Sequence, residues 1–182
     1  MDLLEMKAAF PRLSVYGASV RGPVGRGIGH AEVGYYDSRK DRAGDDPFVN
    51  NSQMRFLVGY EQDLPEIAHD LTVGGQYYVE WMMDYDAYRR AVLFVPAADE
   101  VRHVVTFRVT KLLWSQNLRL GLFAYYSPSD SDAYLRPNVS YKIDDHWTAE
   151  IGGNVFFGSR PFTFFSQFAD NSNVYLALRY SF

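Results

Sequence analysis

Ten charged residues sit where an isolated charge does chemistry only in company: Glu32, Arg55, Glu61, Glu80, Arg108, Arg119, Arg136, Lys142, Glu150 and Arg179. Nearly all have apolar neighbours on both sides in the chain, as Arg108 does between Phe107 and Val109 and Arg119 between Leu118 and Leu120. In an extended backbone such a series shares one face and leaves the apolar residues on the other. Two chemistries are open to it. Side-chain charges that line an aqueous passage select solutes by sign. Alternatively, the same groups pair with one another and fill the interior of a small barrel. Arg108, Arg119, Arg136, Lys142 and Arg179 fall on neighbouring segments, so in the first case the wall is basic and prefers anions.

Other chemistries find little support. The chain has no cysteine, hence no disulfide framework, thiolate nucleophile or thiolate metal site. His30, His69, His103 and His146 are scattered, and none has metal-ligand spacing. Gly25, Gly27 and Gly29 imitate a phosphate-binding loop, but no hydrophobic strand precedes them and no helix follows, which makes them a turn. No Gly-x-Ser-x-Gly elbow supports a hydrolase. Asp41, Asp45, Asp46, Asp84 and Asp86 miss the calcium-loop spacing and read as solvated loop charge rather than as a site for divalent ions. The expectation is no catalytic residue, no metal and no cofactor. A net charge of −4 without a basic stripe argues against nucleic acid as a partner.

The elements that would position the charges follow from period-two alternation. It is clearest in Val174, Leu176, Leu178, Tyr180 and Phe182. It recurs over Trp147–Phe157, Leu135–Ile143, Leu118–Tyr126, Val105–Val109, Leu71–Trp81, Met54–Tyr60 and Ala31–Tyr35, with a weaker first strand over Leu13–Arg21. That is about nine strands, each near the ~9–11 residues that a tilted strand needs to cross a bilayer. No segment of comparable strength has helical period, and Met1–Phe10 is compatible with a helical turn or a strand extension. Connections alternate in length. Gly22–Arg26, Asp63–Asp70, Trp114–Asn117 and Asp144–His146 are short. Arg39–Asn51, Met83–Arg102 and Gly158–Asn173 are long, and Ser127–Asp132 is a short exception among them. Short turns on one rim and long loops on the other is the arrangement of bacterial membrane barrels.

Composition agrees: 14 Tyr and 13 Phe with a slightly negative mean hydropathy suit an apolar shell one side chain thick around a polar interior. Tyr77, Trp81, Tyr126, Tyr141, Trp147, Phe157, Tyr180 and Phe182 fall on the apolar phase near strand ends, as membrane-interface aromatics do. Lys111 shares that phase but lies close to the turn at Trp114, where it can snorkel to the interface. The aromatic loop Arg160–Phe165 either folds into the lumen or extends the strands.

The closing Tyr180-Ser181-Phe182, with alternating apolar positions before it, resembles the terminal signature of outer-membrane β-barrel proteins. That resemblance implies that the barrel assembly machinery recognises Tyr180 and Phe182. Val15–Pro23 and Tyr125–Asp130 resemble segments of porin-like outer-membrane proteins considerably longer than this chain. The expectation is therefore an all-β, antiparallel up-and-down transmembrane β-barrel domain over residues 1–182, the C-terminal portion of a larger barrel. Nine strands leave the first and last parallel, which calls for at least one strand upstream. Met1–Phe10 is not a secretory signal, although an outer-membrane protein needs one.

The expected function is passive diffusion of small polar solutes, with a preference for anions, through a channel in contact with outer-membrane lipid and lipopolysaccharide. Two alternatives stand beside it: a filled, non-conducting structural or adhesion barrel, and a soluble all-β barrel holding an apolar ligand.

Overall fold

The computed structural model describes residues 10–93 and 96–182; the expectation for Met1–Phe10 falls, but for Phe10 itself, outside them. Nine strands form one antiparallel sheet in chain order: β1 (Leu13–Val24), β2 (Gly27–Ser38), β3 (Gln53–Asp63), β4 (Leu71–Met82), β5 (Val101–Leu113), β6 (Leu118–Ser127), β7 (Asp132–Lys142), β8 (Trp147–Gly158) and β9 (Asn173–Tyr180). The chain is thus all-β, with an up-and-down meander throughout. Consecutive strands run in opposite directions because each connection simply reverses the chain.

Each neighbouring pair keeps a single register from end to end. A one-residue slip would move every side chain of a strand to the other face. Constant register therefore keeps the polar phase of all nine strands on one side. Between β7 and β8 the ladder lacks two bridges, at Arg136 and Pro137, with no shift of register on either side. Pro137 has no N–H to give.

The turns 25–26, 64–70, 114–117 and 143–146 gather on one rim, and 39–52, 83–100, 128–131 and 159–172 on the other. Of the three glycines read as a turn, only Gly25 (φ +57°) lies in one; Gly27 and Gly29 belong to β2. Two helical pieces, both absent from the alternation pattern, lie in the longer loops: α1 (Tyr85–Ala91) and a 3-10 turn over Ser166–Asn171.

Among the described residues only Val49 and Val104 are buried hydrophobics. A layered soluble fold places its apolar residues between layers. Here Val20, Phe56, Val58, Phe107, Leu122, Val139, Ile151 and Leu176 are all exposed on the apolar face.

Candidate functional site on the polar face

Cross-strand register arranges the polar face in rows. Near the rim of longer loops, Arg55 is opposite Glu80 and Glu80 opposite Arg102. Arg102 bonds Glu80 at 2.7 Å and Asp130 at 2.5 Å, and also donates to Tyr125 Oη. Arg55 lies 3.4 Å from Glu80, with its guanidinium 4.1 Å from the Tyr36 ring centroid. Ser127, fully buried, donates to Asp130 at 2.9 Å and so fixes the carboxylate that holds Arg102. These charges are half-buried and mutually satisfied, which suits structural work. The sequence reading placed Arg55 and Glu80 among pore-lining charges; the structure ties them into this network. Arg102, the last residue of the loop expected over Met83–Arg102, belongs to the network as well. The strand begins at Val101, and Arg102 continues the phase of Val104, Thr106 and Arg108.

The middle of the face differs. Arg108 is opposite Phe123, and Phe123 is opposite Arg136. Arg119, at the short-turn end of β6, lies two same-face positions from Phe123, with Gly121 between them. Arg108, Arg119, Arg136, Asn138, Tyr134 and Glu150 line one cavity of about 490 Å³. Among the described residues none of these three arginines forms an ion pair. Glu150 accepts a hydrogen bond from Tyr175 at 2.8 Å. A second cavity, about 460 Å³, is lined by Arg21, His30, Glu32, Glu61, Gln76 and Arg108, so Arg108 borders both cavities and the two glutamates lie in the second.

The basic wall anticipated from the sequence is thus only partly assembled. Lys142 and Arg179 flank Thr148 in a separate row beside the short turns, and Lys142 bonds Asp145 at 2.8 Å. By register Arg119 lies two same-face rows from Arg108 and Arg136 and one row from Lys142 and Arg179, an order that alternation does not encode.

Segment 159–172 folds back onto the polar face instead of extending the strands. Phe165 stands edge-on to Tyr125 (4.6 Å between centroids) and stacks on Tyr134 (4.9 Å). Its N–H donates to Asp132 at 2.8 Å, and Arg160 reaches the Ser129 carbonyl at 3.3 Å. Asp132 is 1% exposed. Asp41 also departs from expectation: it is buried and accepts the N–H groups of Gly44 and Asp46, both at 2.9 Å, so it clamps its loop rather than sitting in solvent. Among the described residues there is no acidic or histidine cluster suited to a metal ion.

On the apolar face, Tyr77, Val105, Tyr126, Ala133 and Phe157 form one cross-strand row, with Trp81 nearer the rim of longer loops. Tyr141, Trp147 and Tyr180 lie at the opposite rim, where Trp147 and Tyr180 are 4.9 Å apart. Tyr77 also bonds His103 Nδ1 at 2.6 Å. Lys111 reaches the His69 carbonyl in the 64–70 turn. Phe182 follows the end of β9 and is fully exposed.

Comparison of the chain with protein-family models, with curated proteins and with solved structures finds no match.

Proposed function

We propose that this sheet is the wall of an outer-membrane β-barrel and that its polar face lines a porin-like channel for small polar solutes, with a preference for anions. One observation carries the reading: the apolar face is uncovered across all nine strands, while only two hydrophobic residues are buried among those described. Soluble monomers rarely expose a contiguous apolar patch beyond a few hundred Å². Lipid is the environment in which such a face is stable, and paired strands meet the rule that backbone groups in a membrane be satisfied within the protein.

The aromatic placement fits the same environment. Leu118 pairs with Tyr141 near one rim, and Tyr126 belongs to the aromatic row near the other. At ~3.4 Å per residue that stretch of β6 runs about 27 Å, and at the ~40° tilt common in barrels it spans about 20 Å of bilayer, close to the ~25 Å apolar band. Tyr180, which closes β9, and Phe182 just after it would then present the strand to the assembly machinery.

An open lumen is favoured over a filled one by Arg108, Arg119, Arg136 and Glu32, which are exposed and outside any ion pair among the described residues. In a filled interior such charges are paired, since an unpaired buried charge is costly. The second reading, a non-conducting scaffold or adhesion barrel, draws on segment 159–172, which covers part of the polar face beside Tyr134.

Insertion of the detergent-folded full chain into planar bilayers tests both. Stepwise conductance with a reversal potential on the anion side supports the channel. A heat-modifiable barrel without conductance favours the scaffold. A monodisperse chain that needs no detergent refutes the membrane assignment.

A further inference from the structure

We propose that Arg108, Arg119, Arg136 and Phe123 form a recognition site for a planar aromatic carboxylate inside the lumen; the proposal deepens the channel reading and rests on it. Three arginines line the same open cleft of about 490 Å³, within the ~300–1,000 Å³ of ordinary ligand pockets. None of the three has a carboxylate partner among the described residues. Glu150, the one acid lining the cavity, is already bonded by Tyr175. Formal charge there is three positive against one negative, so an anion is the missing component.

The geometry then narrows the class of anion. Phe123 stands between Arg108 and Arg136 in register. Adjacent strands are ~4.8 Å apart, so the two arginine backbones lie ~10 Å apart with a ring between them. The Phe123 ring is held edge-on by Tyr134 at 6.2 Å, its one aromatic partner among the described residues. Tyr134 is itself committed, by its hydroxyl to Asn154 at 2.6 Å and by stacking on Phe165.

Between Phe123 and Arg119 lies Gly121, where a Cβ would collide with the Asn138 side chain leaning across from β7. The Asn138 side chain thus fills the space over Gly121, and the cleft is bounded by it, by Arg108, Arg119 and Arg136 and by the Phe123 ring. Inorganic phosphate or a short aliphatic acid would satisfy the arginines and leave the ring unused. A benzoate-like solute uses both: its carboxylate takes the planar arginine forks, and its ring lies against Phe123.

The experiment measures equilibrium binding to the detergent-folded full chain by ligand-observed NMR, using benzoate, acetate, cyclohexanecarboxylate and benzamide as probes. Benzoate is expected to bind about tenfold tighter than acetate or benzamide, and several-fold tighter than cyclohexanecarboxylate, with affinity falling as salt rises. Phe123→Leu brings benzoate down to the level of cyclohexanecarboxylate. Arg108→Gln and Arg136→Gln each weaken it about tenfold. Arg108→Lys, which keeps the charge but loses the fork, weakens it by an intermediate factor and guards against a folding artefact of the neutral variants. Equal binding of benzoate and acetate, or no response to Phe123→Leu, overturns the site. Bilayer recordings on the same samples separate the two claims. A chain that binds benzoate without conducting keeps the site and overturns the channel; one that conducts without distinguishing the acids keeps the channel and overturns the site.

Discussion

Replacing Phe165 with alanine should release segment 159–172 from the sheet without unfolding the sheet. Phe165 makes an edge-on contact with Tyr125 at 4.6 Å and a stacked one with Tyr134 at 4.9 Å. Each such pair is worth about 1 kcal/mol beyond area burial. The ring is half-buried. Losing that burial costs about 1 kcal/mol more, roughly half the ~1.5–3 kcal/mol for a fully buried phenyl group. The sum of about 3 kcal/mol corresponds to roughly a hundredfold rise in the opening equilibrium. Alanine keeps the backbone N–H that donates to Asp132, so the change isolates the packing contribution. Hydrogen exchange in the detergent-folded chain reads the result. The Gln167 and Phe168 amides, bonded to the Thr163 and Phe165 carbonyls, should exchange about a hundredfold faster, while β7 and β8 amides keep their protection. Unchanged exchange in the segment would mean the aromatic contacts do not hold it. Loss of protection throughout β8 would mean that segment and sheet are one cooperative unit. Either outcome refutes the reasoning.

Leu122→Arg, in the middle of the apolar face, should lower the unfolding free energy measured in lipid by about 2–4 kcal/mol; an unaffected variant would place this face in water. Arg102→Gln leaves Glu80 and Asp130 facing each other without their common partner and should cost about 2 kcal/mol in denaturant titration. The double variant with Glu80→Gln should show coupling of about 1 kcal/mol, and strict additivity would deny the network. Asp144 accepts the His146 and Trp147 N–H groups, both at 2.8 Å, which hold its carboxyl below the ordinary carboxylate range. Its contribution to the 143–146 turn is therefore complete above that range and lost as pH falls through the depressed value. An NMR titration with a midpoint at or above the ordinary range would contradict the capping geometry.

The nine strands were legible because an amphipathic sheet imposes period two on every residue, and because constant register preserves that phase across the sheet. Arg102 shows where the signal fades. Strand β5 starts four residues before the alternation at Val105 becomes visible, because Val101–Val104 adjoins the loop and carries His103 on the apolar phase. The turn 114–117 is another case. Trp114, Ser115 and Gln116 all adopt positive φ (52°, 53° and 70°) without a glycine among them, so no residue announces that conformation. Phe165 was legible only as part of a loop unusually aromatic for an exposed segment, with two directions open to it. Its partners Tyr125 and Tyr134 are far away in the chain, and only the fold brings them together. The candidate site was half legible for the same reason. Alternation gives the face of Arg108, Arg119 and Arg136, whereas the row each occupies depends on strand stagger: Arg108 and Arg136 share one, Arg119 lies two rows away, and Lys142 and Arg179 lie one row beyond it.

The polar face divides its charges by location. Near the rim of longer loops, Arg102, Glu80, Asp130 and Arg55 are paired and half-buried, Ser127 is buried against Asp130, and Asp132 is buried where it accepts the Phe165 N–H. In the middle, Arg108 and Arg136 are exposed and outside any ion pair among the described residues, as is Arg119 nearer the short turns. If the purpose of the polar face were only to fill an interior, the satisfied network would be expected in the middle, where water is least available to screen lone charges. The observed order is the reverse. Pairing is concentrated where loops need anchoring and absent where a solute would pass. That distribution, more than the number of arginines, is what the channel reading explains and a filled barrel does not.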